Sequence, residues 1–171
     1  MTKLSVNINK VATLRNAREA TIGRGEVALD CEAFGAEGIT VHPRPDERHI
    51  RRSDVYELRP LLTTEFNIEG YPAPEFVDLV LKVKPHQVTL VPDAPDQITS
   101  NRSGRMTKGQ SFLSLPTDGY VRTGRHSYLY LCWYGQGDDR ICRKAGADRV
   151  ELYTEPYATM YPQNPEVAIA P

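Results

Sequence analysis

Between Lys3 and Asn9 the chain alternates: Leu4, Val6 and Ile8 fall on one side, Ser5, Asn7 and Asn9 on the other. That is the two-residue period of an extended strand. The period returns in Gly38–Arg44, in Glu65–Glu69 (Phe66 and Ile68 outward, Glu65, Asn67 and Glu69 inward), in Gln87–Val91 and in Arg149–Thr154. Between these runs the spacing lengthens to that of a helix. Val27, Cys31 and Phe34 share a stripe in Glu26–Phe34, with Gly35 placed to end it. Asp54 and Glu57 have the form of a capping box for VYELRPLL, and Pro74 suits the first turn of PEFVDLVLKV. The segment carrying Arg15, Asn16 and Arg18 reads as a loop. Strand starts near residues 3, 38, 65 and 87 are about one βα unit apart. FGAEGITV and AGADRVEL repeat the order helix end, Gly-Ala-acid turn, strand. The expectation is α/β: a TIM (β/α)8-type barrel in a single partial domain, 1–171, with about six of the eight units.

The second strand departs from the norm for such sheets, whose strands are usually apolar on both faces. In GITVHPRPDERHI, Ile39 and Val41 point one way while Thr40, His42 and Arg44 point the other, followed by a loop holding Arg48 and His49. Polar side chains at the C-terminal end of a barrel strand are where this architecture puts its chemistry. A lone His42 would read as a hydrogen-bonded core residue; Arg44 on the same face argues against that, because arginine is rarely buried without a partner. Glu69 is balanced between a barrel ion pair and acid–base work, and Glu151 carries the same ambiguity.

Composition narrows the setting. The 171 residues carry a net charge of −1, which gives no reason to expect nucleic acid or an anionic membrane as partner. MTKLSVNINK has no apolar signal-peptide core, and no apolar run approaches a membrane span. Three cysteines without CxxC or zinc spacing suit a reducing compartment. A cytoplasmic protein is expected.

Residues 102–144 break the pattern. They hold Trp133, two cysteines and the aromatic run YLYLCWYGQGDDRICRK, in which neither a clear fifth strand nor its helix is legible. Permissible codons for Tyr128–Lys144, read one base later, encode IFICVGTDKEMIEYAAK: a β-branched strand, a turn and an amphipathic helix. A displaced reading frame is therefore expected there, with a smaller one around Glu19–Glu26; nucleotide sequencing decides the point.

The runs KLSVNINKVATLRNAR, FGAEGITVHPRPDERHI, LLTTEFNIEGYPAPEF, KVKPHQVTLVPD and GADRVELYTEPYA resemble the pyridoxine 5′-phosphate synthase family of vitamin B6 biosynthesis. VHPRPDERHI is the most specific of them. The resemblance implies a TIM-barrel transferase. It would condense 3-amino-2-oxopropyl phosphate with 1-deoxy-D-xylulose 5-phosphate to pyridoxine 5′-phosphate, phosphate and water, with no cofactor or metal. It implies that His42 and Glu69 accept protons and that Glu151 supports the transition state. Asn7 and Arg18 would bind the amino-ketone phosphate; Arg44, His49 and Thr99 would bind the deoxyxylulose phosphate. Asn9, also a substrate-binding position on the resemblance, stands where some members have aspartate, so a polar rather than charged contact is expected there. Arginine forks and a histidine titrating near neutrality suit two phosphorylated substrates and repeated dehydrations. The partners implied are small phosphorylated molecules and, by family, further copies of the chain.

A complete barrel runs to ~250 residues. On the resemblance, the missing strands would carry a proton-donating histidine and a glycine-rich phosphate site, so the 171-residue chain is expected to be a fragment that does not turn over. Two other readings stay open. One is a sugar-phosphate aldolase or isomerase barrel, which would want a Schiff-base lysine at a strand end; Lys82 and Lys84 fall in a helix end and a turn. The other is a non-catalytic fragment that binds a phosphorylated ligand. The synthase reading makes one geometric demand: Asn7, His42, Glu69 and Glu151 should share a cavity at one rim.

Overall fold

Six parallel strands form one sheet in the order the chain lays them down: β1 (Ser5–Asn7), β2 (Gly38–Val41), β3 (Glu65–Gly70), β4 (Gln87–Leu90), β5 (Ser127–Cys132) and β6 (Arg149–Leu152). Every pairing is parallel. The structure is a computed structural model and describes residues 1–18, 23–91, 127–132, 147–152 and 154–169. Sequential order in a wholly parallel sheet is the topology of a (β/α) barrel. The curl is visible in one contact. Arg149 on β6 reaches Glu65 on β3 at 2.7 Å, across β4 and β5. In a flat sheet strands three positions apart would lie roughly 14 Å from each other.

The outer face of the sheet is apolar because it meets the helices. Ile39, Val41, Phe66, Ile68, Val88 and Leu90 are buried there, in one cluster with Ala28 of α2 (Arg24–Ala33), Val55 and Leu58 of α3 (Arg52–Leu58), and Phe76, Leu79, Val80 and Val83 of α4 (Pro74–Val83). Burying each such side chain contributes roughly 2 kcal/mol. Gly70 ends β3 because nothing larger fits: a Cβ there would sit 2.3 Å from the Phe76 ring.

Local chemistry sets the helix ends. Gly35, after α2, takes the left-handed conformation (φ +100°) that a side chain resists. Lys84 does the same after α4 (φ 53°). The Glu32 carboxylate on α2 then grips the start of β3, accepting the N–H groups of Thr63 (3.0 Å) and Thr64 (2.7 Å) and both threonine hydroxyls.

Three expectations need correction. The segment with Arg15, Asn16 and Arg18 is helical, α1 (Asn9–Arg18). Its Ala, Leu, Lys and Arg residues favour a helix, and the Asn7 side chain accepts the Asn9 N–H at 2.9 Å at its start. Asp54 does not precede α3; it is the third residue of that helix, and its carboxylate reaches back to accept the Arg51 N–H at 2.9 Å. The aromatic run does supply a fifth strand, β5, paired with β4 and β6. The stretch YLYLCW is apolar or aromatic at every position, so it offers no polar–apolar alternation to read. The rest of 102–144, and residues 19–22, lie outside the described residues. After β6 the chain forms two short helices, α5 (Glu155–Met160) and α6 (Pro165–Ile169). Pro156 and Pro165 each sit in a first turn, where proline is tolerated.

Candidate active site

Inside the curled sheet the alternation of Thr40, Asn67 and Thr89 builds a polar ladder. Thr89 Oγ1 donates to Asn67 Oδ1 at 3.0 Å, Asn67 Nδ2 donates to Thr40 Oγ1 at 3.3 Å, and the Thr40 and Ser5 hydroxyls share a bond of 2.9 Å. Below it, Arg149 holds Glu65 through both carboxylate oxygens (2.7 and 2.9 Å) and also donates to Gln87. Above it stand two carboxylates. Glu69, the penultimate residue of β3, and Glu151 of β6 line a cavity of about 710 Å³ together with Asn7, the last residue of β1. Glu69 has no hydrogen bond among the described residues. Burial, reinforced by the charge of Glu151, pushes its carboxyl up to about 8. Burial also raises the carboxyl of Glu151.

His42 lies elsewhere. It is the first residue past β2, where Pro43 turns the chain and strand alternation no longer fixes direction. It lines a second cavity of about 430 Å³ with Arg44, Arg52, Tyr71 and Phe76. The expected single pocket is therefore two. Asn7, Glu69 and Glu151 share one cavity, while His42 and Arg44 share the other. The link between them is Asn9: Asn7 Oδ1 accepts the Asn9 N–H (2.9 Å), and Asn9 Oδ1 accepts the His42 N–H (2.8 Å). Asn9 thus makes its polar contact within the protein.

Electrostatics separate His42 from Glu69 further. Burial, then the cations Arg44, His49 and Arg48 and against the pull of Asp46, brings the imidazole down to about 4. At neutral pH His42 is an uncharged base while Glu69 is a protonated acid. The loop after His42 is held in shape by its own polar groups. Glu47 is left-handed (φ 51°), and its carboxylate accepts the Arg52 N–H at 3.1 Å. Arg48 pairs with Asp46 at 2.9 Å. Nδ1 of His49 is buried with no hydrogen-bond partner among the described residues. Burial and then Arg48 lower the His49 imidazole, with Asp46 opposing.

Of the remaining predicted residues, Arg18 ends α1, and Thr99 lies outside the described residues. The sequence reading missed three side chains that the structure brings to this rim: Arg15, Asn16 and Asp54. They tie α1 to the loop of His49. The signal was present in the RNAR run, but an arginine and an asparagine in a supposed loop read as solvated.

Known proteins place this geometry in context. The family model described as pyridoxal phosphate biosynthesis protein PdxJ matches residues 4–169. Proteins named pyridoxine 5′-phosphate synthase are 72% identical in Phocaeicola vulgatus, 68% in Bacteroides thetaiotaomicron and 58% in Parabacteroides distasonis. In each case the match covers all of this chain and 72% of the relative. Among solved structures, a mandelate oxidase mutant with a monooxide FMN adduct aligns with TM-score 0.54 and 12% identity, over 99% of this chain and 68% of that one. That likeness concerns the fold alone.

Proposed function

This chain belongs to the PdxJ family of pyridoxal phosphate biosynthesis proteins, and from that membership we propose how its two cavities divide the pyridoxine 5′-phosphate synthase reaction. The observation that carries the proposal is the opposite tuning of two groups at one rim, Glu69 up to about 8 and His42 down to about 4. Groups whose proton affinities are driven apart are suited to acid and base roles.

Condensing 3-amino-2-oxopropyl phosphate with 1-deoxy-D-xylulose 5-phosphate forms one C–N and one C–C bond and releases phosphate and two waters. Each loss of water needs a proton on the departing oxygen and removal of one from nitrogen or carbon. Glu69 begins protonated, gives its proton to a departing hydroxyl, and is then a carboxylate able to accept the next. His42, neutral, accepts a proton from the substrate. Glu151, whose charge adds to burial in keeping Glu69 protonated, favours the cationic character that develops as an amine adds to a carbonyl. Asn7 and Arg18 hold the amino-ketone phosphate. Arg44, His49 and Thr99 hold the deoxyxylulose phosphate, and the unsatisfied Nδ1 of His49 supports that assignment, since a buried polar atom without a partner costs about 1–3 kcal/mol until a ligand satisfies it.

Titration calorimetry of the folded chain with 1-deoxy-D-xylulose 5-phosphate tests the division. Arg44→Ala and His49→Ala are each expected to weaken binding about tenfold, the loss of one charge-assisted contact, while Glu69→Gln leaves it intact. Equal affinity in all four proteins would refute the assignment. The aldolase reading finds no support in its two lysines: Lys82 pairs with Asp78 at 2.6 Å on α4, and Lys84 caps that helix.

A further inference from the structure

We propose that Arg15, Asn16 and Asp54 form a clasp that fixes His49 in the pose its phosphorylated ligand requires. This positioning role rests on the ligand role given to His49 above. The three side chains join α1 to a loop more than 30 residues away. Asp54 is fully buried, and the Arg15 side chain is 11% exposed. One Asp54 oxygen accepts both Arg15 Nη1 (3.0 Å) and the Arg51 N–H (2.9 Å). The other arm of the Arg15 fork donates to the His49 carbonyl at 3.2 Å. Asn16 completes the clasp. Its Oδ1 accepts from Arg15 Nε (2.9 Å) and Nη2 (2.7 Å), and its Nδ2 donates to the carbonyls of Arg48 (3.0 Å) and His49 (2.9 Å).

The backbone oxygens of Arg48 and His49 therefore receive three hydrogen bonds from two side chains of α1, while the His49 imidazole keeps a buried nitrogen without a partner. Satisfied backbone beside an unsatisfied ring is the arrangement of a prepared ligand contact. The backbone carbonyls on either side of the ring are bonded, and its Nδ1 is left to take a ligand. The residue types are specific to the task. Asparagine can accept from a guanidinium and donate to two carbonyls at once; aspartate would turn that donor into an acceptor facing two oxygens. Arginine's planar fork reaches Asp54 and His49 together, which a lysine ammonium cannot do.

The test is calorimetry with 1-deoxy-D-xylulose 5-phosphate on folded variants, with melting temperatures measured in parallel. Asn16→Asp is expected to weaken binding about tenfold. Arg15→Lys, which keeps a cation opposite Asp54, serves as a second variant if Asn16→Asp fails to fold, and should weaken binding severalfold. The decisive comparison is with His49→Ala. If the clasp acts through His49, Asn16→Asp or Arg15→Lys added to His49→Ala costs no further affinity. Additive losses would overturn the clasp and leave the role of His49 standing. So would wild-type affinity in both clasp variants, even with a lowered melting temperature. Unchanged affinity in His49→Ala alone would instead remove the ligand role of His49, and the clasp would fall with it.

Discussion

Replacing Glu69 with glutamine should make the protein more stable, and increasingly so as pH rises. A carboxyl normally titrating at 4.5 is held at about 8 in the folded chain, first by burial and then by Glu151. Between those two values the unfolded chain has released the proton and the folded chain still holds it. The folded state then binds more protons than the unfolded one, so stability falls as pH rises through that window. Below 4.5 both states are protonated and the effect vanishes; above about 8 it reaches a plateau. At about 1.4 kcal/mol per unit, the wild type gives up roughly 3 kcal/mol by pH 6.5 and roughly 5 kcal/mol by pH 8.5 relative to a neutral side chain. Glutamine matches the protonated acid in shape and removes the titration.

Urea unfolding followed by circular dichroism at pH 4.5, 6.5 and 8.5 reads this directly. Wild type and Glu69→Gln should coincide at the lowest pH and separate by several kcal/mol at the highest. Parallel stability curves across the whole range would show that Glu69 ionises freely in the folded chain, and its role as a reservoir of a proton at neutral pH would be lost.

Three further outcomes follow from the same geometry. Glu151→Gln should lower the Glu69 midpoint, seen by carbon NMR of the side-chain carboxyl, but leave it well above 4.5 because burial is the larger cause; a midpoint that does not move would separate the two carboxylates. Glu32 is raised by burial but brought below 4.5 overall by its bonds from Thr64 and Thr63. The stability it contributes is therefore present above 4.5 and lost as pH falls through its lowered value, so Glu32→Gln should cost about 1 kcal/mol near neutrality and nothing in acid, by urea unfolding. Gly70→Ala drives a methyl group into the Phe76 ring; overpacking of this kind costs on the order of 1–3 kcal/mol of unfolding free energy, read by urea unfolding, and a cost near zero would mean that α4 moves freely away from β3.

The strands with one polar face were legible because alternation survives wherever the two faces meet different surroundings: Phe66 and Ile68 against α4, Asn67 and Glu69 toward the interior. β5 was hidden because YLYLCW is apolar or aromatic throughout and shows no alternation. The sequence also placed Asn7, Glu69 and Glu151 together, since each falls on an inward position near a strand's C-terminal end. It misplaced His42 by extending the alternation of β2 one residue too far, past Val41 to the residue before Pro43. The clasp stayed invisible for a different reason. Arg15 and Asn16 reach backbone carbonyls, and Arg15 reaches Asp54, across more than 30 residues of chain, and no local period encodes such contacts.

How the fold tolerates Glu69 follows from what surrounds it. The other interior polar groups are largely satisfied among themselves: Ser5 to Thr40 to Asn67 to Thr89 in one ladder, and Glu65 with Gln87 on Arg149 in another. The cost of an interior carboxylate is therefore concentrated at Glu69 and Glu151. Each apolar side chain on the outer face contributes roughly 2 kcal/mol, so Val41, Phe66 and Ile68 alone offset what the raised Glu69 takes away. A barrel that puts its hydrophobic driving force between sheet and helices can keep an interior shaped by proton chemistry. The same arrangement predicts where substitutions separate the two properties: shortening Phe66 or Ile68 lowers stability at every pH, whereas changing Glu69 alters stability only where its proton is in play.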